Sequence, residues 1–140
     1  MAVKSYSPKN AILTINGQIV KSWKTVKAEF DEDSWEFEAS TSNGELSRAR
    51  IENDLGKFTI TLPQVSSDND IIDDLEKAAA VSDDIPAFVE VQLKDNWGQS
   101  LHTMAEGTVS KRASGSYEKS VTDREWIITG ELTSDLKGNN

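Results

Sequence analysis

The chain has 140 residues, the usual size of a single domain, with no cysteine and one histidine, His102. This inventory excludes disulfides and thiolate zinc sites, and no nucleotide-binding, serine-hydrolase or metalloprotease motif is present, so we predict no enzyme activity, no metal and no cofactor. The 24 acidic residues outnumber the 15 basic ones, and the net charge of -9 argues against tight binding to nucleic-acid phosphates.

The hydropathy of the chain argues against a membrane protein. No apolar run approaches the roughly 20 residues needed to span a bilayer, and the first residues lack the apolar stretch of a secretory signal peptide. We therefore expect synthesis in the cytoplasm and no insertion into a membrane. The hydrophobic share of 36% is low, which predicts a thin core and is consistent with stabilisation by neighbouring subunits.

The first third of the chain predicts short strands that pair locally. Residues 1–10 are polar and are expected to form an extended arm. Asn16-Gly17 stands between two apolar runs and supplies the positive φ angles of a type I′ turn, which predicts a hairpin. Apolar and charged residues then alternate over 26–30 and 35–39, so each segment is predicted to be a strand buried on one face. The acids there are predicted to form a solvated sheet face rather than catalytic carboxylates.

Residues 40–57 show neither the period of a helix nor that of a strand, and they predict a long loop. The loop contains Arg48 and Arg50 in a chain that is otherwise acidic. Two interpretations remain open for it. It is either a mobile surface loop or a contact arm whose arginines meet an acidic surface of a partner.

The second half of the chain predicts one helix among further strands. Ser66-Ser67-Asp68 has the residue types of a helix N-cap, and apolar residues follow at helical spacing, so a helix is predicted near 68–80. The aspartates of this helix lack the EF-hand pattern and predict a solvated face. Alternation predicts strands at 58–62, 87–93, 101–109 and 124–132, a loop at 110–120 and a polar tail at 133–140.

Together these elements predict a single, mainly β domain over residues 1–140. About seven or eight short strands with one helix fit a small β-sandwich or partly closed barrel with one flanking α-helix. His102 has no second histidine or cysteine to join it and is predicted to be an ordinary strand residue. Trp35 and Trp126 occupy strand positions that are predicted to be core.

Several short motifs follow one another in a fixed order through nearly the whole chain. They are Tyr6-Ser7-Pro8-Lys9-Asn10, Leu13-Thr14-Ile15-Asn16-Gly17, Gly44-Glu45-Leu46-Ser47-Arg48, Asn53-Asp54 with Gly56, Thr59-Ile60-Thr61-Leu62-Pro63-Gln64, Ser66 to Ile71, the Gly98 turn and Arg124-Glu125-Trp126. Each motif is short, so the specificity lies in their order and spacing. In this order they resemble the bacteriophage tail tube proteins, the inner tube subunits of contractile-tailed phages.

The resemblance implies a structural role in the virion. It implies rings, expected to be hexameric, that stack into a hollow tube through which DNA is ejected. It also implies tail sheath, baseplate and tail terminator proteins as partners, with a loop and the termini reaching the adjacent ring. The inter-ring contact loop is expected to use Asn43, Gly44, Glu45, Ser47, Arg48 and Arg50. The channel wall is expected to be negative, so that DNA passes without specific binding, with lumen-lining candidates Glu29, Glu36, Glu38 and Glu90.

Two alternatives remain open. Another virion ring, such as a tail terminator, a baseplate hub or a head–tail connector, would have a similar fold but would differ in stacking, since a terminator has one stacking face and a tube ring has two. A carbohydrate- or receptor-binding β module would need a coplanar aromatic platform. Four tryptophans are available for such a platform: Trp23, Trp35, Trp97 and Trp126.

Overall fold

The computed structural model describes residues 11–39, 44–81, 88–95 and 100–136, which form ten strands and one helix. The predicted N-terminal arm and the Gly98 turn lie outside these residues. The mainly β character with one helix is confirmed. In chain order the elements are β1 (Ala11–Ile15), β2 (Gln18–Val20), β3 (Thr25–Phe30), β4 (Trp35–Ala39), β5 (Leu46–Arg50), β6 (Leu55–Pro63), α1 (Asp68–Val81), β7 (Val89–Asp95), β8 (Leu101–Lys111), β9 (Asp123–Glu131) and β10 (Thr133–Asp135).

The main sheet is antiparallel, with the strand order β2-β1-β7-β8-β9-β6-β3. One edge of β8 pairs with β7, and the other pairs first with β10 and then with β9. β9 and β10 are therefore one strand interrupted at Leu132, whose N–H instead donates to the carbonyl of Asp54 at 2.9 Å. This arrangement joins the C-terminal end of the described chain to the middle of the sheet.

The sheet must curve, because its two end strands are joined by a short linker. In a flat sheet, six strand spacings would separate β2 from β3 by about 29 Å. Residues 21–24 supply five Cα–Cα steps, or at most about 19 Å. The two end strands are not paired with each other in the described part of the chain, so the curved sheet is open and is not closed into a barrel.

The core lies on one face of this curved sheet and is covered by the helix. Every second residue of β6 is buried, as the strand period requires, and β1, β7 and β9 each bury two residues at the same spacing. Ile72 of α1 is fully buried against them. The buried apolar residues are Leu13, Ile15, Val20, Phe58, Ile60, Leu62, Ile72, Val89, Val91, Met104, Trp126, Ile128 and Leu132. The prediction that Trp126 belongs to the core is confirmed.

Turn and cap chemistry hold the ends of these elements as predicted. Asn16 and Gly17 have φ angles of 50° and 80°, which is the type I′ geometry of the β1–β2 hairpin. At the start of α1, the N–H of Asp68 donates to Ser66 Oγ at 3.1 Å. Asp68 Oδ2 in turn accepts the N–H of Ser22 at 3.0 Å, which fastens the linker between β2 and β3 to the helix. The predicted helix is confirmed and ends at Val81.

Three sequence predictions are wrong in the described residues. Most of the predicted loop 40–57 is strand, because Leu46–Arg50 forms β5 and Leu55 begins β6. Both faces of β5 are exposed. Because neither face is buried, the sequence of β5 has no alternation of apolar and polar residues from which a strand could be predicted. The predicted tail 133–140 begins with β10, which a cross-strand partner on β8 holds in place. β4 is exposed along its whole length, and Trp35 is not a core residue.

Candidate functional site

A hairpin made of β4 and β5 projects from the edge of the main sheet. The β3–β6 ladder ends at the pair Phe30–Gly56, and the β4–β5 ladder starts at the pair Trp35–Arg50. Two backbone bonds join the ladders: the N–H of Asp31 donates to the carbonyl of Leu55 at 3.0 Å, and the N–H of Ile51 donates to that of Ser34 at 2.9 Å. The hairpin therefore continues the β3–β6 pair beyond the sheet by five residue pairs, about 17 Å.

Alternation gives this hairpin two chemically different faces. One face, which we call the Trp–Arg face, carries Trp35, Phe37, Leu46, Arg48 and Arg50. The opposite face, the acidic face, carries Glu36, Glu38, Ser47 and Ala49. On the Trp–Arg face, the guanidinium carbons of the two arginines lie 4.9 and 5.7 Å from the centroid of the Trp35 ring, within the range of cation–π attraction.

The Trp–Arg face is uncovered in the described part of the chain. Phe37 and Leu46 are 61% and 68% exposed, and Trp35 is 37% exposed although two arginines lie over it. In the described residues no third strand pairs with the hairpin. An isolated two-stranded hairpin is marginally stable in water, and exposed apolar side chains grouped on one face are typical of an interaction site. The hairpin is therefore the strongest candidate for an assembly contact.

The predicted inter-ring contact residues lie on this hairpin but not on one face. Arg48 and Arg50 are on the Trp–Arg face, whereas Ser47 is on the acidic face. Gly44, with a φ of 70°, and Glu45 lie at the end of the hairpin nearest its turn, and Asn43 is outside the described residues. Trp35 and Phe37, which are exposed on the same face as the two arginines, were not among the predicted contact residues. Their shared register with the two arginines would have pointed to them had β5 been predicted as a strand.

The four predicted lumen residues are not brought together in a single chain. Glu29 lies in β3, where its carboxylate is 3.2 Å from the ammonium of Lys27 and 3.4 Å from that of Lys57. The hydrogen bond from Lys27, with weaker help from Lys57, lowers the pKa of Glu29 below its ordinary value. Glu90 is exposed on β7, four strand positions from β3 in the sheet order. Glu36 and Glu38 lie on the projecting hairpin, so any common surface for the four would need several copies.

The tryptophans do not form a flat binding platform in the described structure. Trp126 is 4% exposed, and its Nε1–H donates to Asn69 Oδ1 at 3.0 Å. Trp23 packs against the core, and Trp35 is on the distant hairpin. Trp97 lies outside the described residues. Nor do the described residues include a group of three or more acidic or histidine side chains placed to hold a metal ion, or a helix long and apolar enough to cross a membrane.

Comparison with known proteins links this chain to phage particles by sequence. No protein-family model matches it. Over 88 residues it is 26% identical to the structural protein ORF10 of Pseudomonas phage KPP10, and the match covers 63% of this chain and 51% of that protein. The chain thus spans about half the length of the curated relative it matches.

The fold is shared with chains from contractile injection systems and a related particle. A chain of the anti-feeding prophage tube terminating cap matches with a TM-score of 0.60 and 7% identity, over 96% of this chain and 94% of that one. A chain of the PVC sheath/tube terminator in the extended state matches with a TM-score of 0.62 and 9% identity, over 96% of this chain and 100% of that one. A chain of the native gene transfer agent virion matches with a TM-score of 0.54 and 10% identity, over 94% of this chain and 100% of that one. At these identities the comparison establishes the fold alone.

Proposed function

We propose that this chain is a structural subunit of a phage tail, or of a related contractile injection particle, and that it acts by assembling into rings. The observation that carries the proposal is the match of nearly the whole chain to similarly sized chains of such particles. The sequence relative, a structural protein of a phage, supports the same class and argues for a protein that is not an enzyme. Its working location is then the virion.

Within that class we propose a tail tube subunit whose rings, expected to be hexameric, stack into a conduit for DNA. The curved sheet supports this role because the outer edges of β2 and β3 pair with no other strand among the described residues, so neighbouring copies can pair with them and cover them. The hairpin supports it because a projecting arm can reach an adjacent ring. The net charge of -9 favours passage of DNA without sticking, with the four candidate glutamates facing the channel. Sheath, baseplate and terminator proteins are the expected partners.

A tail terminator is the second candidate, and a specific observation favours it. Two of the structures that share the fold are described as a tube terminating cap and a sheath/tube terminator. The two roles differ in their stacking surfaces. A tube ring needs complementary top and bottom faces and therefore polymerises, whereas a terminator binds on one face and ends growth.

Imaging and sedimentation of the purified protein test both roles. We expect rings at low concentration and stacks of rings at high concentration, seen by negative-stain electron microscopy and as fast-sedimenting species. Rings that never stack at any concentration would replace the tube role with the terminator role. A chain that sediments as a monomer up to millimolar concentration would contradict both.

A further inference from the structure

We propose that the Trp–Arg face of the hairpin docks into a groove on a second copy of this chain, formed by α1 and the β1–β2 turn. In this contact Arg48 and Arg50 would pair with Asp70 and Asp74. The inference rests on the proposed function, because it needs copies of the chain to assemble. It goes further by naming the surface that receives the hairpin.

The receiving surface, which we call the acidic groove, combines an apolar floor with acidic walls. It is a groove of about 250 Å³ between the helix and the turn. Ile71 and Leu75 of α1 contribute apolar surface, and Asp70 and Asp74 stand beside them as exposed residues. The Trp–Arg face has the complementary composition, with aromatic and aliphatic side chains beside two cations.

The charged groups on both surfaces form no direct ion pair in the described structure. Neither Asp70 nor Asp74 pairs directly with a described residue. Asp73 between them lies 2.7 Å from Lys77 and is the main cause of the raised pKa of that lysine, to which Asp74 adds a weaker attraction. Two carboxylates four residues apart on a helix repel each other, so a cationic partner would relieve this repulsion. None of the described ion pairs involves Arg48 or Arg50, and both guanidinium groups lie over the Trp35 ring.

The spacing of the two charge pairs matches. Residues two apart on a strand point to one face about 6.6 Å from each other, which is the separation of Arg48 from Arg50 along β5. Residues four apart on a helix are separated by about 6 Å along its axis, which is the separation of Asp70 from Asp74. Both arginines can therefore engage both aspartates at once, each through the forked hydrogen bonds that guanidinium makes to a carboxylate.

A second acidic groove on the same chain is a poorer fit. Glu106 and Glu131 line it, together with Ala105, Thr103 and Thr133. It offers carboxylates but no large apolar side chain, so the exposed Phe37 and Leu46 would gain little burial there. This groove therefore serves as a matched control rather than as a rival receiver.

The proposed contact joins two different surfaces, so it propagates from copy to copy. A chain whose hairpin occupies a neighbour still has a free acidic groove, and the neighbour still has a free hairpin. Contacts of this kind either close into rings or extend without limit. Used between rings, the contact extends from one ring to the next, as the proposed tube role requires, and it leaves the edges of β2 and β3 for pairing within a ring.

Substitutions on β5 test the hairpin side. R48Q/R50Q and K111Q/K119Q each change the charge of the chain by -2, the first on the hairpin and the second at exposed lysines outside both the hairpin and the acidic groove. We expect R48Q/R50Q to raise the protein concentration at half-assembly at least about tenfold in sedimentation velocity, and K111Q/K119Q to change it less than about threefold. Both variants should keep the thermal transition of the parent, since all four side chains are exposed.

Substitutions on the grooves test the receiving side. D70N/D74N should weaken assembly as much as R48Q/R50Q does, whereas E106Q/E131Q, with the same change in charge, should not. Charge reversal gives a rescue: R48D/R50D and D70R/D74R should each fail to assemble alone and should co-assemble when mixed, because the mutated hairpin of one then fits the mutated groove of the other.

The outcomes separate this inference from the proposed function. If the wild-type chain assembles and D70N/D74N assembles equally well, the acidic groove is not the receiver and the inference is overturned, while the proposed function stands. If R48Q/R50Q assembles normally, the hairpin is not the inserted element. If the wild-type chain forms no assembly, the proposed function and the inference fall together.

Discussion

At the scale of single residues, the buried Asn69 joins the helix to the sheet. Its side-chain amide donates to the carbonyls of Pro63 at 2.9 Å and Ser66 at 3.0 Å, and its Oδ1 accepts the indole N–H of Trp126 at 3.0 Å. Asn69 is 3% exposed, so water cannot reach its amide, and these protein partners must satisfy its hydrogen-bonding groups instead. The amide thus fixes how α1 sits on β6 and β9.

Replacing Asn69 should destabilise the fold more than any exposed substitution on the same helix. Asn69→Ala leaves the Trp126 N–H without its partner and removes one of the two donors to each of the Pro63 and Ser66 carbonyls. We expect a loss of about 2–4 kcal/mol in the free energy of unfolding by denaturant titration. Asp70→Ala, its exposed neighbour, should cost less than about 1 kcal/mol. A double-mutant cycle with Trp126→Phe should give a coupling energy of about 1–2 kcal/mol, and additive effects would contradict the bond.

His102 should make the stability of the β8–β10 pair depend on pH. Burial lowers the pKa of His102 in the folded chain, and the nearby Asp135 carboxylate offsets only part of this effect. Because the folded pKa lies below the unfolded value of about 6.5, the unfolded chain binds the proton more readily. The fold therefore favours the neutral imidazole of His102. The stability that this adds is present above about pH 6.5 and is lost as the pH falls through the folded pKa of His102.

The measurement is the melting temperature of the wild type and of His102→Gln at pH 7.5 and 5.5. We expect the wild type to lose more stability over this range than the variant, which has no group that titrates at this position. His102 Nδ1 also lies 2.7 Å from Ser134 Oγ, so Ser134→Ala serves as a control that breaks the contact and keeps the imidazole. Equal pH dependence in the wild type and His102→Gln would contradict the assignment.

At the scale of elements, the hairpin and the sheet it extends differ in their packing. β6 lies between β3 and β9 and buries every second residue, whereas β4 and β5, within the described part of the chain, pair with each other and with no third strand. Local opening is cheapest where few apolar contacts must be broken. The hairpin should therefore be the least protected regular element of the free chain.

Hydrogen exchange measures this difference. In the monomer, we expect amides of β4 and β5 to exchange orders of magnitude faster than those of β6 and β9. In the assembled protein, the hairpin amides should become protected, because docking would cover the Trp–Arg face. Hairpin amides that exchange equally fast in both states would show that this element stays in solvent.

At the scale of the whole molecule, net charge predicts the behaviour of an assembled tube toward DNA. With a charge of -9 per chain, wild-type assemblies should not retain duplex DNA even at about 0.05 M salt. Lysine at the four lumen candidates, Glu29, Glu36, Glu38 and Glu90, should create salt-sensitive retention, with the retained DNA protected from nuclease. The control variant has lysine at four other exposed glutamates and changes the charge by the same amount: Glu32, Glu52, Glu118 and Glu125. Equal nuclease protection in both variants would contradict a lumen location.

Local patterns in the sequence were enough to predict the elements whose conformation depends on neighbouring residues and on burial of one face. The Asn16-Gly17 turn follows from backbone φ preferences, and the strand at Phe58 to Leu62 follows from alternation forced by a buried face. The helix follows from its cap and its apolar spacing. The mainly β class and the single helix are sums of these local effects, so they could be predicted without coordinates.

Features that depend on distant partners could not be predicted in this way. β5 and β10 are strands because β4 and β8 pair with them, and no buried face marks them in the sequence. Trp35 has the alternation of a core strand, yet the hairpin carries it beyond the sheet. Asp70 and Asp74 look like any solvated helix face until the β1–β2 turn forms the opposite wall of a groove. Chain topology places these groups, because contacts between residues far apart in sequence leave no periodic pattern within either segment.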